Sequence, residues 1–338
     1  MENRFRGGSR KMAMLKKNSD GPVRIYRAKN IKDLVIGVFR GGVSAEREIS
    51  LLSGENVIKA LRSKGYKVVD IDLKTRDEKV ILKIIRDNFI DIVFITLHGE
   101  FGEDGQFQRI LEVNNIPFTG SGSEASFLSM DKIQTRRVLE ENNIAVPQYW
   151  VEEEGGFKFS PSDFPLVVKP HYAGSSMGVT IVKNNSQLKE AIKIAKKYSS
   201  QTIVERYIRG RELTVGIIRD EALPIVEVRF KKDFFDFSSK YEDNQAEFIV
   251  PAELPPEIYK KIQELAYNVF KVLGCRGLGR VDLRLAEDFK PYILELNSIP
   301  GLTSHSLLPL AAREAGLDFS QLCEEILKDA LETFNFIL

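Results

Sequence analysis

Arg280-Val281-Asp282-Leu283-Arg284-Leu285 and, after a short polar turn, Tyr292-Ile293-Leu294-Glu295-Leu296-Asn297 form the stretch from which the rest of the chain is best read. Side chains alternate between the two faces of a strand, so Arg280, Asp282 and Arg284 share one face, and Glu295 shares another with Asn297. If the two strands pair, their polar groups converge. Asp282, Glu295 and Asn297 are hard oxygen donors of the kind Mg²⁺ takes, the ion keeping one or two carboxylates and leaving its other positions to water and substrate phosphates. A solvated strand face is the plainer alternative. It does not explain why such groups interrupt otherwise apolar strands that run directly into Ser298-Ile299-Pro300-Gly301.

Working outward, Ile258, Ile262, Leu265, Ala266, Val269, Phe270 and Leu273 mark a long amphipathic helix before these strands. Phe319, Leu322, Cys323, Ile326, Leu327, Ala330 and Leu331 mark another at the end, with Asp318 and Gln321 placed as a capping box. Upstream, Leu166–Lys169, Val179–Val182, Thr202–Glu205 and Leu213–Ile217 read as strands joined by Gly-containing loops, hence as antiparallel hairpins. Farther upstream the texture changes. Leu34–Phe39, Val68–Ile71 and Ile92–Leu97 are short apolar runs, separated by helical stripes at Ile49, Leu52, Val57, Ala60 and Leu61 and at Val80, Ile81, Ile84 and Ile85. Repeated βα units imply a parallel sheet, so residues 31–125 read as a doubly wound α/β domain whose strand ends face a ligand crevice.

The 338 residues carry 49 Lys+Arg and 48 Asp+Glu, with 43% hydrophobic residues, which excludes a chain disordered throughout. The near-neutral total hides a basic leader: residues 1–30 hold nine Lys/Arg and two acids, so the leader is +7 and the remainder −6. A mildly acidic body argues against a nucleic-acid binder. The leader lacks the continuous apolar core of a secretory signal and reads as a disordered basic arm, a targeting segment or a passive remnant. No apolar run approaches a membrane span. Cys275 and Cys323 form neither a CxxC pair nor a disulfide framework, which points to a reducing cytoplasm.

Two further motifs compete for attention. Gly120-Ser121-Gly122-Ser123-Glu124-Ala125 fits a dinucleotide fingerprint, but the acids about 20 residues on, Glu140 and Glu141, fall in a helix instead of ending a strand, so a structural strand-to-helix turn is expected. Gly174-Ser175-Ser176-Met177-Gly178 fits a nucleophile elbow, with Asp282 and His305 following in a hydrolase's order. That elbow needs a helix directly after the serine, and Val179-Thr180-Ile181-Val182 is β-branched. The loop reads better as a hairpin tip that offers backbone N–H groups and two hydroxyls to a phosphate, with Lys169 adding a charge. His98, His171 and His305 lie at no metal-ligand spacing.

With these residues in view, the chain resembles the D-alanine–D-alanine ligase family of ATP-grasp enzymes from about Leu34 onward. The likeness rests on Gly41-Gly42-Val43-Ser44-Ala45-Glu46-Arg47-Glu48, Leu97-His98-Gly99, Gly102-Glu103-Asp104-Gly105, Met130-Asp131-Lys132, Val168-Lys169-Pro170, Gly174-Ser175-Ser176, Gly279-Arg280-Val281-Asp282, Glu295-Leu296-Asn297 and Pro300-Gly301-Leu302-Thr303-Ser304-His305-Ser306. The resemblance implies an ATP-grasp fold in which the first domain precedes two α+β subdomains, 126–218 and 219–338, that sandwich ATP. It implies Lys132, Lys169, Ser175 and Ser176 on the phosphates, Glu205 and the Ile208 backbone at adenine, and Glu212 at the ribose. Two Mg²⁺, or Mn²⁺, would sit on Asp282, Glu295 and Asn297. Glu46 would take the ammonium of the first D-alanine, with His98 nearby. Arg280 and the Gly301 amide would stabilise oxyanions, and Ser306 would bind the second D-alanine. Lys240 and Tyr241 would lie on a closing segment.

One departure is Ala173, where many relatives carry an acid. The implied protein is a cytoplasmic homodimer that spends ATP to make D-alanyl-D-alanine for peptidoglycan. The alternatives are a D-lactate or D-serine acceptor, a serine hydrolase and a non-catalytic nucleotide-binding module.

Overall fold

The computed structural model describes residues 30–152, 157–230 and 246–337, together with the backbone of Leu15–Asn18, Gly21–Arg24 and Tyr26–Arg27. The first two of these short segments pair antiparallel, and Tyr26–Arg27 pairs in parallel with Phe336–Ile337. Part of the leader therefore has paired backbone where its composition suggested disorder, because charge counting is blind to local main-chain hydrogen bonding.

The first sheet forms because three apolar runs are separated by amphipathic helices. Strand β1 (Val35–Gly41) lies between β2 (Lys67–Leu73) and β3 (Ile92–Ile95), all parallel, and Phe118 extends the sheet by a bridge to Val93. Alternation along the strands loads both faces. Ile36, Val38, Ile92 and Phe94 pack against α1 (Arg47–Ser63) and against the chain's last helix, while Phe39, Ile71, Leu73, Val93 and Ile95 pack against α2 (Glu78–Asp87) and α3 (Gln106–Val113). This is the doubly wound arrangement expected.

Gly120-Ser121-Gly122 leads into α4 (Ser123–Met130), the structural turn anticipated, and Asp131 then caps α5 (Lys132–Glu141) by accepting from the amides of Ile133 and Gln134. The central sheet is antiparallel, with β4 (Tyr149–Val151), β7 (Thr202–Arg206), β5 (Leu166–Pro170) and β6 (Thr180–Val182) side by side in that order. Helix α6 (Asn185–Ala195) covers it through Leu188, Ala191 and Ala195.

The largest sheet has the order β10 (Ala246–Ile249), β9 (Val226–Phe230), β8 (Arg211–Ile218), β11 (Leu278–Leu285) and β12 (Pro291–Asn297), with the short strand Glu221–Ala222 on β8. Helix α7 (Pro256–Val272) backs it with Ile262, Ala266, Val269 and Phe270. Two expectations shift here. Strand Arg211–Ile218 pairs along its whole length with β11, so the division between the sheets falls near Arg206–Arg211 instead of at 218/219. The final helix α9 (Phe319–Thr333), after α8 (Leu307–Glu314), packs on α1 and closes one face of the first sheet. Neither was legible because hairpin texture is the same on both sides of residue 218, and an amphipathic stripe does not name its partner. The capping box of Asp318 and Gln321 is present.

Candidate active site

The register of β11 and β12 sets Asp282 opposite Glu295 and Arg280 opposite Asn297, so the four polar groups do converge, with an irregularity just beyond Asp282. Arg280 donates to both oxygens of Asp282 at 2.9 and 2.8 Å, Asn297 donates its amide to the same carboxylate at 3.1 Å, and Thr214 on β8 donates its hydroxyl at 2.5 Å. Among the described residues no group of three or more His, Cys, Asp or Glu is suited to a metal. The donor set is two carboxylates and an amide. That suits an ion completing its shell from substrate phosphates and water better than one held wholly by protein.

Two cavities meet at this spot. A tight one of about 90 Å³ lies between the central and large sheets, lined by Lys132, Lys169, Ser176, Glu205, Ile208 and Glu212 among others. A larger one of about 440 Å³ opens towards the first domain and is lined by Glu46, His98, Ser175, Arg280, Asn297, Gly301 and Ser306 among others. Ser176, Glu212, Asp282 and Glu295 line both. Every expected site residue within the described part of the chain therefore borders one cavity or the other. Lys240 and Tyr241 lie outside the described residues.

Between the cavities runs the loop 171–178, which joins the antiparallel partners β5 and β6. No helix follows Ser176 directly, so the nucleophile-elbow reading falls. Ser175 and Ser176 adopt successive left-handed conformations, φ 50° and 55°, and the turn brings the Ser175 hydroxyl to Glu46 as a hydrogen-bond donor. Lys132 holds the loop from the other side, donating to the carbonyl of Ala173 at 2.5 Å, so a main-chain group anchors the tip at the position where the chain lacks an acid. Lys132 is buried 3.9 Å from Glu295; burial pushes its ammonium's pKa down, against the pull of Glu295.

In the tight cavity Glu205 is 1% exposed and lies between two cations, Lys169 at 2.5 Å and Arg136, which is itself 1% exposed. Burial alone would raise the Glu205 carboxyl, but Arg136 and then Lys169 outweigh it and hold it below the ordinary carboxylate value. Nearby, Arg284 reaches the Ile208 carbonyl and the Glu212 carboxylate, both at 3.2 Å.

In the larger cavity Glu46 begins α1, yet its side chain makes no capping bond to the helix. Its carboxylate points inward instead. Oε2 accepts from Ser175, whereas Oε1 is buried with no hydrogen-bond partner among the described residues. Burial and the neighbouring Glu103 raise this carboxyl, more than the Ser175 hydrogen bond lowers it. Both Gly99 and Gly174 come close: a Cβ on either would stand 2.9 Å from Oε1 and would push the carboxylate aside, and Gly99 also holds a left-handed φ of 69° that favours glycine. His98 is bracketed by Glu103 at 3.1 Å and Ser53 at 3.2 Å, and the Ser53 hydroxyl accepts from the Leu302 amide at 3.3 Å. Ser306 caps the loop that follows Gly301, its hydroxyl accepting from the Thr303 amide at 3.1 Å.

Sequence reasoning missed Arg136, Glu103 and Ser53. The first had a signal: Arg136 falls on the helical stripe of Ile133 and Leu139, and a charge on an apolar stripe calls for a buried partner.

Comparison with known proteins shows the family and the fold. A family model described as "D-ala D-ala ligase C-terminus" matches residues 140–328, and "D-ala D-ala ligase N-terminus" matches residues 82–121. The D-alanine–D-alanine ligase of Geotalea uraniireducens (strain Rf4) is 42% identical over 306 residues, spanning 89% of this chain and 96% of that protein. That of Geobacter sulfurreducens is 41% identical over 304 residues, spanning 89% and 95%. Among solved structures, the D-alanine–D-alanine ligase from Bacillus anthracis complexed with ATP superposes with a TM-score of 0.77 at 33% identity, covering 89% of this chain and 98% of that one. The VanG D-Ala:D-Ser ligase from Enterococcus faecalis superposes at 0.73 and 29% identity, covering 88% and 99%.

Proposed function

The chain belongs to the D-alanine–D-alanine ligase family, ATP-dependent, ADP-forming ligases of the ATP-grasp fold that make the D-alanyl-D-alanine of peptidoglycan, and we propose how its cleft carries out that reaction. The observation that carries the assignment is the meeting of two cavities at Asp282 and Glu295, one lined by lysines and the other by a carboxylate with an unpartnered oxygen. ATP lies along the tight cavity, which must widen to take it, and extends to where the two cavities meet, with Lys132, Lys169 and Ser176 towards its phosphates, Glu205 and the Ile208 backbone towards adenine, and Glu212 towards the ribose. The first D-alanine places its ammonium on Oε1 of Glu46.

A carboxylate is a poor acyl donor and must first be phosphorylated. One oxygen of the first D-alanine's carboxylate attacks the γ-phosphorus, the bond to the bridging oxygen breaks, and ADP leaves with the electron pair. Lys132 and Lys169 neutralise the charge that gathers there. The second D-alanine, its carboxylate held at Ser306 with His98 near the first subsite, attacks the acyl carbonyl through its neutral amine. Its ammonium gives up one proton to solvent before the attack and a second after it, and the second is taken up by the inorganic phosphate that departs with the electron pair of the broken acyl–oxygen bond. Arg280 and the Gly301 amide face the tetrahedral oxyanion, where preorganised donors are worth most. Water would hydrolyse the acyl phosphate, so the Ser175–Glu46 bond, which seals the loop against the first domain, also protects the intermediate. The roles of Lys240 and Tyr241 in closure rest on the resemblance alone.

Asp282, Glu295 and Asn297 fit a divalent cation: Asp282 and Glu295 are partners in the ladder and line both cavities, and Asp282 already holds a cation in the Arg280 guanidinium. Mg²⁺, or Mn²⁺, would supply charge neutralisation on the phosphoryl oxygens when bound there. The proposed setting is a homodimer in the cytoplasm. Among the described residues no helix is long and apolar enough to cross a membrane, and sedimentation would give the mass.

The test is product analysis with ATP, Mg²⁺ and D-alanine, with D-lactate or D-serine offered as competing acceptors. The expected result is one ADP and one phosphate per D-alanyl-D-alanine, D-alanine remaining the preferred acceptor. Preference for D-serine or D-lactate would move the chain to another acceptor class, and ADP release that ignores amino acids would remove the ligase assignment.

A further inference from the structure

Arg136 borders neither cavity, yet it touches the groups that build the tight one. Its guanidinium donates to the Lys132 carbonyl at 2.9 Å and to the Leu294 carbonyl, the residue before Glu295, at 3.2 Å, and it pairs with Glu205. Glu205 in turn holds Lys169, which does line the cavity. One buried side chain thus ties the first turn of α5, the strand that bears Glu295 and the carboxylate beneath Lys169.

We propose that Arg136 is a positioning residue for nucleotide binding: by acting as the resident counter-ion of Glu205, it leaves the charge of Lys169 available to the phosphates. This rests on the reading that the nucleotide occupies the tight cavity. Glu205 with Lys169 alone is a neutral pair, and in a cavity shielded from water a lysine so paired is drawn down onto its carboxylate. Adding Arg136 makes the cluster +1. The surplus sits on the member that faces the ligand, because Arg136 is sealed behind Glu205 while Lys169 keeps 10% of its side chain exposed. A guanidinium suits the hidden place, since its planar fork serves a carboxylate and two carbonyls at once while staying charged.

The experiment is calorimetric titration of ADP with Mg²⁺ into the whole protein, with the KM for D-alanine measured alongside. Arg136→Met keeps the stem and deletes the charge. It should weaken ADP binding about tenfold or more, whereas Arg136→Lys should stay within about threefold of wild type, with the D-alanine KM moving less than twofold in either. If Arg136→Met does not fold, Glu205→Gln and Arg136→Met/Glu205→Gln are compared instead. With the carboxylate neutralised, losing Arg136 should no longer matter, and the two should bind ADP equally within about threefold. Equal ADP binding by wild type and Arg136→Met would overturn the proposal, as would an undiminished loss in the Glu205→Gln background. A wild type that binds ADP and a Lys169→Met variant that does not would keep the cavity reading intact whatever Arg136 does. Failure of the wild type to bind ADP would overturn the cavity reading and the proposal together.

Discussion

Glu205 and Glu46 are both buried carboxylates, 1% and 7% exposed, on opposite sides of Asp282, and the protein treats them in opposite ways. Glu205 has two resident cations and is held ionised. Glu46 has a hydroxyl, a neighbouring carboxylate in Glu103 and one oxygen with no partner among the described residues, and its pKa is raised. The difference shows which half of the cleft is complete by itself. On the side proposed for the nucleotide the chain supplies the counter-charge. On the side proposed for the amino acid no resident cation does so, and in the proposed reading the substrate's ammonium would bring the missing charge.

The largest effect expected from this contrast is on stability at the nucleotide side. Glu205→Gln leaves Arg136 and Lys169 facing one another without the carboxylate between them, and breaking such a buried cluster should cost about 3–5 kcal/mol, read by denaturant unfolding without ligands. A loss below about 1 kcal/mol would mean that solvent screens the cluster.

Glu46→Gln should behave in the reverse manner. The ligand-free protein should be as stable as wild type or more so, while kcat/KM for D-alanine falls about 30- to 1000-fold through loss of a desolvated charge pair worth about 2–4 kcal/mol. ADP binding should be unchanged. A variant that loses ADP and D-alanine affinity together would erase the distinction between the two halves.

The pH dependence sharpens the same contrast, with the two signs opposed. Glu205 is depressed, so its stabilisation is present above the ordinary carboxylate value and is lost as pH falls through its folded value. Glu46 is raised, so its contribution is fully present below the ordinary carboxylate value and is lost as pH rises through its folded value. The melting-temperature advantage of Glu46→Gln over wild type should therefore shrink on acidification. An advantage that grows with acid would reverse the assignment for Glu46. The smallest effect belongs to Ser175→Ala, which removes one hydrogen bond and should lower kcat/KM for D-alanine by about threefold to tenfold, or about 0.5–1.5 kcal/mol.

Much of this was legible before the structure because it followed from period and chemistry. The 2-residue alternation at 280–285 and 292–297 placed Arg280, Asp282, Glu295 and Asn297 on one surface, and the ladder pairs them. The βα texture gave the first sheet. What stayed hidden depends on partners distant in the chain. Nothing local tells that Arg136 meets a carboxylate 69 residues away, that α9 returns to α1, or that β8 belongs with β11. Arg136 and Glu205 were each visible as charges in apolar surroundings, but the compensation between them is a fact of three-dimensional packing. The unpartnered oxygen of Glu46 is of the same kind, since a sequence shows which groups exist and not which go without a partner.

The most direct test of the contrast is proton release on substrate binding. With the protein saturated in ADP and Mg²⁺, D-alanine is titrated at the acid edge of activity in buffers of different ionisation enthalpy. An ammonium arriving at a protonated Glu46 should lower its pKa and expel a proton, so wild type should release protons on binding D-alanine and Glu46→Gln should release none. D-alanine binding without proton release, or with equal release by the two proteins, would contradict the claim that Glu46 waits uncompensated for its substrate's charge.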